Sequence, residues 1–158
     1  MTDTPSTDTI PDTDTNPSTD WSHPDGSTAA VDSTVDRYLA SIEAGAVIDG
    51  AILDPAIVFD ATVPNWRMTR TGIDATIGVL HDFYHHPGRF EQVRRIGSPT
   101  GEVVELTLTW VEDGVPHAVH QSHIIELGRD GRIVRDTMFC GGRWSADLLA
   151  EMEAADAV

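Results

Sequence analysis

The stretch EVVELTLTWVEDGVPHAVHQSHIIELGRDGRIVRDTMFC, Glu102–Cys140, decides the fold. In Glu102–Val111 the apolar residues Val104, Leu106, Leu108 and Trp110 recur at every second position, the period of a strand with one buried face. Glu112-Asp113-Gly114 is a hairpin signal. Val115–Leu127 then reads as a long strand, and Asp130-Gly131 turns it into a further strand, Arg132–Cys140. Phe90–Ile96, stopped by Gly97, precedes them, which makes a four-strand antiparallel meander.

Upstream, Ala56–Val63 is apolar and β-branched and stops at Pro64; a short return strand covers Arg67 to Thr71. A helix is predicted from about Ile73 to Tyr84, with Ile73, Ile77, Leu80 and Tyr84 on one face, ending in His85-His86-Pro87-Gly88. Val31, Val35, Tyr38, Leu39 and Ile42 mark an amphipathic first helix that Ser27 or Thr28 can cap and Gly45 can end. Val47, Ile48, Ala51 and Ile52 suggest a second short helix closing at Asp54-Pro55. A last helix opens at Ser145 and carries Leu148, Leu149 and Met152. This order argues an α+β fold: helices on one face of a curved, mostly antiparallel sheet, with an apolar pocket between them.

The 158 residues are one domain's length. Residues 1–26 are Thr, Ser, Asp and Pro almost throughout and cannot bury enough surface to offset the entropy of ordering. They are expected to be a disordered acidic tail, with the folded domain at 27–158. The net charge of −16 argues against a nucleic-acid partner, which needs a basic stripe, and against an anionic membrane surface. No apolar run approaches the ~18–20 residues of a membrane span, and the start lacks the basic and apolar regions of a signal peptide, so a cytoplasmic location is expected. There is no lysine, which excludes a Schiff base and a lysine-dependent phosphate loop. The single cysteine, Cys140, excludes an internal disulfide and a cysteine-rich zinc site.

The order of elements resembles the nuclear transport factor 2-like superfamily, the cone-shaped fold of ketosteroid isomerases and polyketide-cyclase-like (SnoaL-like) proteins. The resemblance covers about residues 30–144. It is carried by Arg37-Tyr38-Leu39 in the first helix, by the run Asp54-Pro-Ala-Ile-Val-Phe-Asp60, and by Asp130-Gly-Arg-Ile-Val134 entering the last strand. It implies a cone-shaped, curved mixed sheet wrapped around the N-terminal helices. Matched to the isomerases, Tyr38 takes the place of a tyrosine donor to the substrate oxyanion and Asp60 that of the aspartate base. His123 takes the place of a second donor, which those enzymes supply as a protonated aspartate. Asp136, Met138 and Cys140 resemble last-strand positions that line the pocket. Leu80 stands where some of those enzymes place a supporting tyrosine.

Alternation along the strands gives a separate test. Ala56, Val58, Asp60 and Thr62 share a face; so do Val115, His117, Val119, Gln121, His123, Ile125 and Leu127, and so do Val134, Asp136, Met138 and Cys140. Polar groups converging on one apolar cavity suggest a site. The catalytic candidates are therefore Asp60 as base, Tyr38 and His123 as oxyanion donors, and Asp136 as a group that orients His123 or returns the proton. Trp66, Thr62, Gln121, Met138 and Cys140 are the expected substrate contacts. His117, His120 and His123 do not gather on a straight strand, because His117 and His123 stand ~20 Å apart and His120 faces the other way. His85 and His86 are expected to serve the helix C-terminus. No metal and no cofactor is expected.

The expected function is a cofactor-independent acid–base enzyme of isomerase, cyclase or dehydratase type, acting on a small, largely apolar carbonyl or enol compound. The alternative is a non-catalytic small-molecule-binding or dimerisation module of the same fold. An epoxide hydrolase is a further alternative, disfavoured because the long strand reads His120-Gln-Ser-His123 where that branch carries Arg-x-Asp. Val103 or Val111, Ile124 and Phe139 on the convex face are expected to be covered by a second copy in a homodimer.

Overall fold

Helix α1 forms where the apolar stripe requires it. In the computed structural model, which describes residues 28–157 with side chains from Thr34 onward, α1 spans Thr28–Glu43. The expected tail, residues 1–26, lies outside the described residues. Val35, Tyr38, Leu39 and Ile42 are all buried along one face of α1. Gly45, at φ 84°, supplies the left-handed conformation that ends it. The second helix expected at 47–54 is reduced to one 3-10 turn, Gly50–Ile52, where the Asp49 carboxylate accepts from the Ala51 amide at 2.9 Å. Only Ile52 is buried there and Val47 is exposed, so the segment has no continuous apolar face to sustain a helix.

The remaining elements follow as strands β1 (Leu53–Val63) and β2 (Trp66–Thr71), helix α2 (Ile73–Tyr84), strands β3 (Gly88–Ser98), β4 (Gly101–Glu112), β5 (Val115–Leu127) and β6 (Ile133–Ser145), and helix α3 (Ala146–Asp156). The six strands make one curved, mixed sheet in the order β2-β1-β6-β5-β4-β3. Every pairing is antiparallel except β1 with β6. That parallel contact joins the N-terminal hairpin to the meander and sets which residues of the two halves meet. Helices α1 and α2 supply Tyr38, Ile42, Leu80 and Tyr84 to a core whose other side is Ile57, Phe59 and Ala61 of β1, Val104, Leu106 and Leu108 of β4, Ile125 of β5 and Met138 of β6. Helix α3 is capped by Ser145, which accepts from the Leu148 amide at 3.3 Å, but buries no residue.

Strand β1 departs from the expected alternation. The buried apolar set is Ile57, Phe59 and Ala61, not Ala56, Val58 and Thr62; Asp60 is also buried, at 8% exposure, but on the opposite face from these three. The register with β6 agrees: Phe59 stands beside Asp136 and Ala61 beside Met138 on the core face, while Asp60 stands beside Thr137 on the outer face.

Candidate functional site

The polar residues of β5 and β6 that face the helices form a continuous buried network. Asp136 is its centre. Tyr38 of α1 donates its hydroxyl to Asp136 Oδ2 at 2.7 Å. His123 Nδ1 lies 2.9 Å from Asp136 Oδ2 and 3.2 Å from Oδ1, so the carboxylate accepts the Nδ1 proton and holds the ring. The other ring nitrogen, Nε2, faces the Tyr84 hydroxyl at 3.4 Å. Tyr84, at the last turn of α2, donates to Gln121 Oε1 at 2.7 Å and touches Met138 Sδ at 3.3 Å. His123 and Met138 have no exposed surface, and Asp136, Tyr38, Tyr84 and Gln121 are all 3% exposed or less. Burial, reinforced by the nearby Asp136 carboxylate, pushes both tyrosine hydroxyls well above the ordinary phenol range, so each is held as a neutral donor.

This network reaches a cavity at one end. A space of about 210 Å3 opens between the end of α2 and the sheet, lined by Asp82–His86, by Leu108, Trp110 and Glu112 of β4, by Val119 and Gln121 of β5, and by Cys140 and Arg143 of β6. Tyr84 and Gln121 are its link to the His123–Asp136 pair. The lining is aromatic and aliphatic at the inner end and charged at the mouth. There Arg143 binds the Glu112 carboxylate, approaches both ring nitrogens of His117 at 2.8 and 3.3 Å, and lies over the Trp110 ring.

The structure brings Tyr38, His123 and Asp136 together, and separates Asp60 from them. Asp60 shares the outer face of the sheet with Arg67, Thr69 and Thr137. The Arg67 guanidinium holds it in a two-point pair, Nε to Oδ1 at 3.0 Å and Nη2 to Oδ2 at 2.6 Å. That pair holds the Asp60 carboxyl below the usual carboxylate range, against the opposing effect of burial. A carboxylate so held is a poor base, and it faces away from the cavity. The expectation of Asp60 as the base is corrected on this ground. Thr62 lies on the same outer face as Asp60, and Trp66 is exposed at the β1–β2 turn, so neither lines the cavity. Among the expected substrate contacts Gln121 and Cys140 do line it, whereas Met138 is sealed behind Tyr84.

Tyr84 is the residue the sequence reading missed. Its position one turn beyond Leu80, on the apolar face of its helix, marks it in sequence only as a core residue, with no signal for its hydroxyl. A second group also went unseen: His85, His86 and Glu112 each present a ligand atom within 4.8 Å of the others. Glu112 is brought to the two histidines because Gly88 pairs with Trp110 across β3 and β4.

No family model matches this chain, and no curated protein matches it in sequence. Solved structures do match. A nuclear transport factor 2-like protein from Anabaena variabilis superposes with a TM-score of 0.62 at 12% identity, covering 77% of this chain and 93% of that one. A steroid delta-isomerase from Pseudomonas aeruginosa gives 0.51 at 18% identity, over 82% and 96%. An LEH-like epoxide hydrolase from M. tuberculosis gives 0.55 at 17% identity, over 72% and 83%. A Xanthomonas campestris protein described as a putative polyketide cyclase and an epoxide hydrolase/cyclase-like enzyme of pyran ring formation in the polyether salinomycin are also among the similar structures. At these identities the likeness is one of fold, and the fold hosts isomerases, cyclases and epoxide hydrolases alike.

Proposed function

The chain has the nuclear transport factor 2-like fold, and from that premise we propose that it is an acid–base enzyme of isomerase, cyclase or dehydratase type acting on a small carbonyl or enol compound. One observation carries the reading: an Asp136–His123–Tyr84 chain of hydrogen-bonding groups ends at a cavity. Tyr84 and Gln121 both line the cavity, and in this reading the Tyr84 hydroxyl turns from Gln121 Oε1 to donate to a substrate carbonyl oxygen, with the Gln121 amide beside it as a second polar contact. It can instead relay a proton. The substrate proton passes to the Tyr84 oxygen as the phenol proton passes to His123 Nε2, and Asp136 stabilises the imidazolium that forms. Tyr38 keeps Asp136 in place and does not reach the cavity. His123 then takes the role of base that Asp60 cannot fill.

The cavity, at about 210 Å3, is smaller than the ~300–1,000 Å3 usual for ligand pockets, so the substrate is small. The test is deuterium exchange: the protein is incubated in heavy water with small cyclic ketones and enones of about six to ten carbon atoms, a size that suits a cavity below the usual range. Loss of the proton next to the carbonyl is followed by NMR. Tyr84→Phe should slow exchange by roughly 10²–10³, the scale of one oxyanion donor. Asp60→Asn should leave it unchanged.

A second reading is favoured by one feature. His123 and Asp136 show at most 1% of their surface, as a purely structural network would. A small-molecule-binding module follows if the same ketones bind, by ligand-detected NMR, without any exchange.

A further inference from the structure

We propose that His85, His86 and Glu112 form a divalent transition-metal site at the mouth of the cavity. One donor atom from each lies within 4.8 Å of the other two, close enough for a single ion to bridge them after small side-chain movements. Two imidazoles and a carboxylate are a donor set suited to zinc, nickel or cobalt, and poorly suited to magnesium or calcium.

The second observation is the ring orientation. His85 Nδ1 lies 3.2 Å from the Asp82 carbonyl oxygen. A histidine that donates its Nδ1 proton to a backbone carbonyl carries its lone pair on Nε2, the arrangement that supports metal-ligating histidines. His86 turns its Nε2 to Glu112 Oε2 at 3.5 Å, and the two imidazoles are close neighbours, with centroids 4.2 Å apart and planes tilted by 50°. Backbone geometry holds the cluster: the histidines follow the end of α2, and Glu112 ends β4 at its hairpin. All three residues line the cavity, so an ion held by them would stand at its edge, within reach of water or of an oxygen of a small ligand.

Arg143 is the competitor. Its guanidinium now pairs with Glu112, and a divalent ion would displace that pair. Arg143 has a second seat, against His117 and over Trp110, where it can remain when Glu112 turns to the ion. Removing the guanidinium should therefore tighten metal binding, the reverse of what a structural or catalytic role for Arg143 would give. The site does not depend on the Tyr84 relay, since it is read by binding and not by turnover.

The experiment is calorimetric titration of the full chain with zinc chloride, in millimolar magnesium to saturate the acidic residues elsewhere. One equivalent should bind below millimolar concentration. Cobalt should bind with visible absorption of nitrogen and oxygen ligands. His85→Ala, His86→Ala and Glu112→Gln should each weaken binding roughly tenfold or more, at least the usual cost of losing a supporting partner. Arg143→Gln should strengthen it several-fold. Melting in the presence of a chelator separates a lost ligand from a lost fold. Should a histidine variant fail to fold, zinc must still shift the His85 and His86 ring signals in the NMR spectrum of the unaltered chain. No binding up to millimolar zinc, unchanged binding in a folded His85→Ala/His86→Ala chain, or weaker binding in Arg143→Gln would overturn the proposal.

Discussion

Asp60 and Asp136 sit one register step apart on neighbouring strands and meet opposite environments. Asp136 turns inward to His123 and Tyr38; Asp60 turns outward to Arg67. The alternation was legible in β1 itself, because Ile57, Phe59, Ala61 and Val63 are the wholly apolar set and a buried face should be apolar. Both the likeness to the isomerases and the choice of the Ala56, Val58, Asp60 and Thr62 face as the inner one placed Asp60 inside instead, and the wholly apolar set proves the better guide. Two predictions belong at this scale. Asp60→Asn should lower the melting temperature at neutral pH and should flatten its fall in acid. Asp60 is held below its ordinary pKa by Arg67, so its stabilisation is full above the unfolded carboxylate value of about 3.9 and is lost as pH falls through the lower folded one. The melting curves of the two proteins should thus converge in strong acid; a constant gap would mean that the pair is not the cause. Tyr38→Phe should cost about 1–3 kcal/mol in denaturant unfolding, since it strips a donor from a buried carboxylate. A cost near zero would mean that water replaces the hydroxyl.

At the scale of elements, the sequence was most readable where strands alternate between clear turn signals. The long strand Val115–Leu127 and the helix Ile73–Tyr84 appear with the expected bounds. Strands β3 and β6 extend further than expected, the latter through Ser145, because backbone pairing continues through glycines and polar residues that break the apolar alternation. Hydrophobic period cannot register that continuation. The start of β4 shows a constraint of another kind. A Cβ on Gly101 would lie 1.9 Å from the Ile125 carbonyl oxygen, a backbone atom of the facing strand. Nothing in the sequence distinguishes this glycine from Gly97, where a Cβ would meet open space. Gly101→Ala should therefore destabilise by about 1–3 kcal/mol or more, the range of overpacked sites, whereas Gly97→Ala should be close to neutral. Paired denaturant titrations check this, and equal effects would mean that β4 and β5 separate easily at that end.

For the whole molecule, the fold class followed from the order of elements, but the strand order and its face-to-face consequences needed the parallel register of β1 on β6. The outer face of the sheet is the surface that this leaves open. Phe139 of β6, Ile124 of β5 and Val111 of β4 are 48%, 40% and 62% exposed there. Paired charges of both signs stand on the same face, Arg67 with Asp60 and Arg94 with Glu105. A face carrying an apolar strip and both signs of charge can match itself across a two-fold axis. Six strands about 4.8 Å apart and up to ~40 Å long present on the order of 1,000 Å2, comparable with the ~800 Å2 per partner of a stable interface. The occupant we expect is a second copy of this chain. Opposing it is the net charge of −16, half of it carried by residues 1–36, which repels two copies at long range. The two effects separate with salt. Repulsion beyond the Debye length of about 10 Å at 0.1 M is screened, while apolar contact is not weakened. Sedimentation at micromolar concentration should therefore show a dimer that tightens as salt rises from about 20 to 200 mM, which shortens the Debye length from ~20 Å to below 10 Å. Ile124→Arg with Phe139→Arg should give a folded monomer. A monomer at every salt concentration in the unaltered chain, or a dimer untouched by those two arginines, would show that the outer face is not the contact.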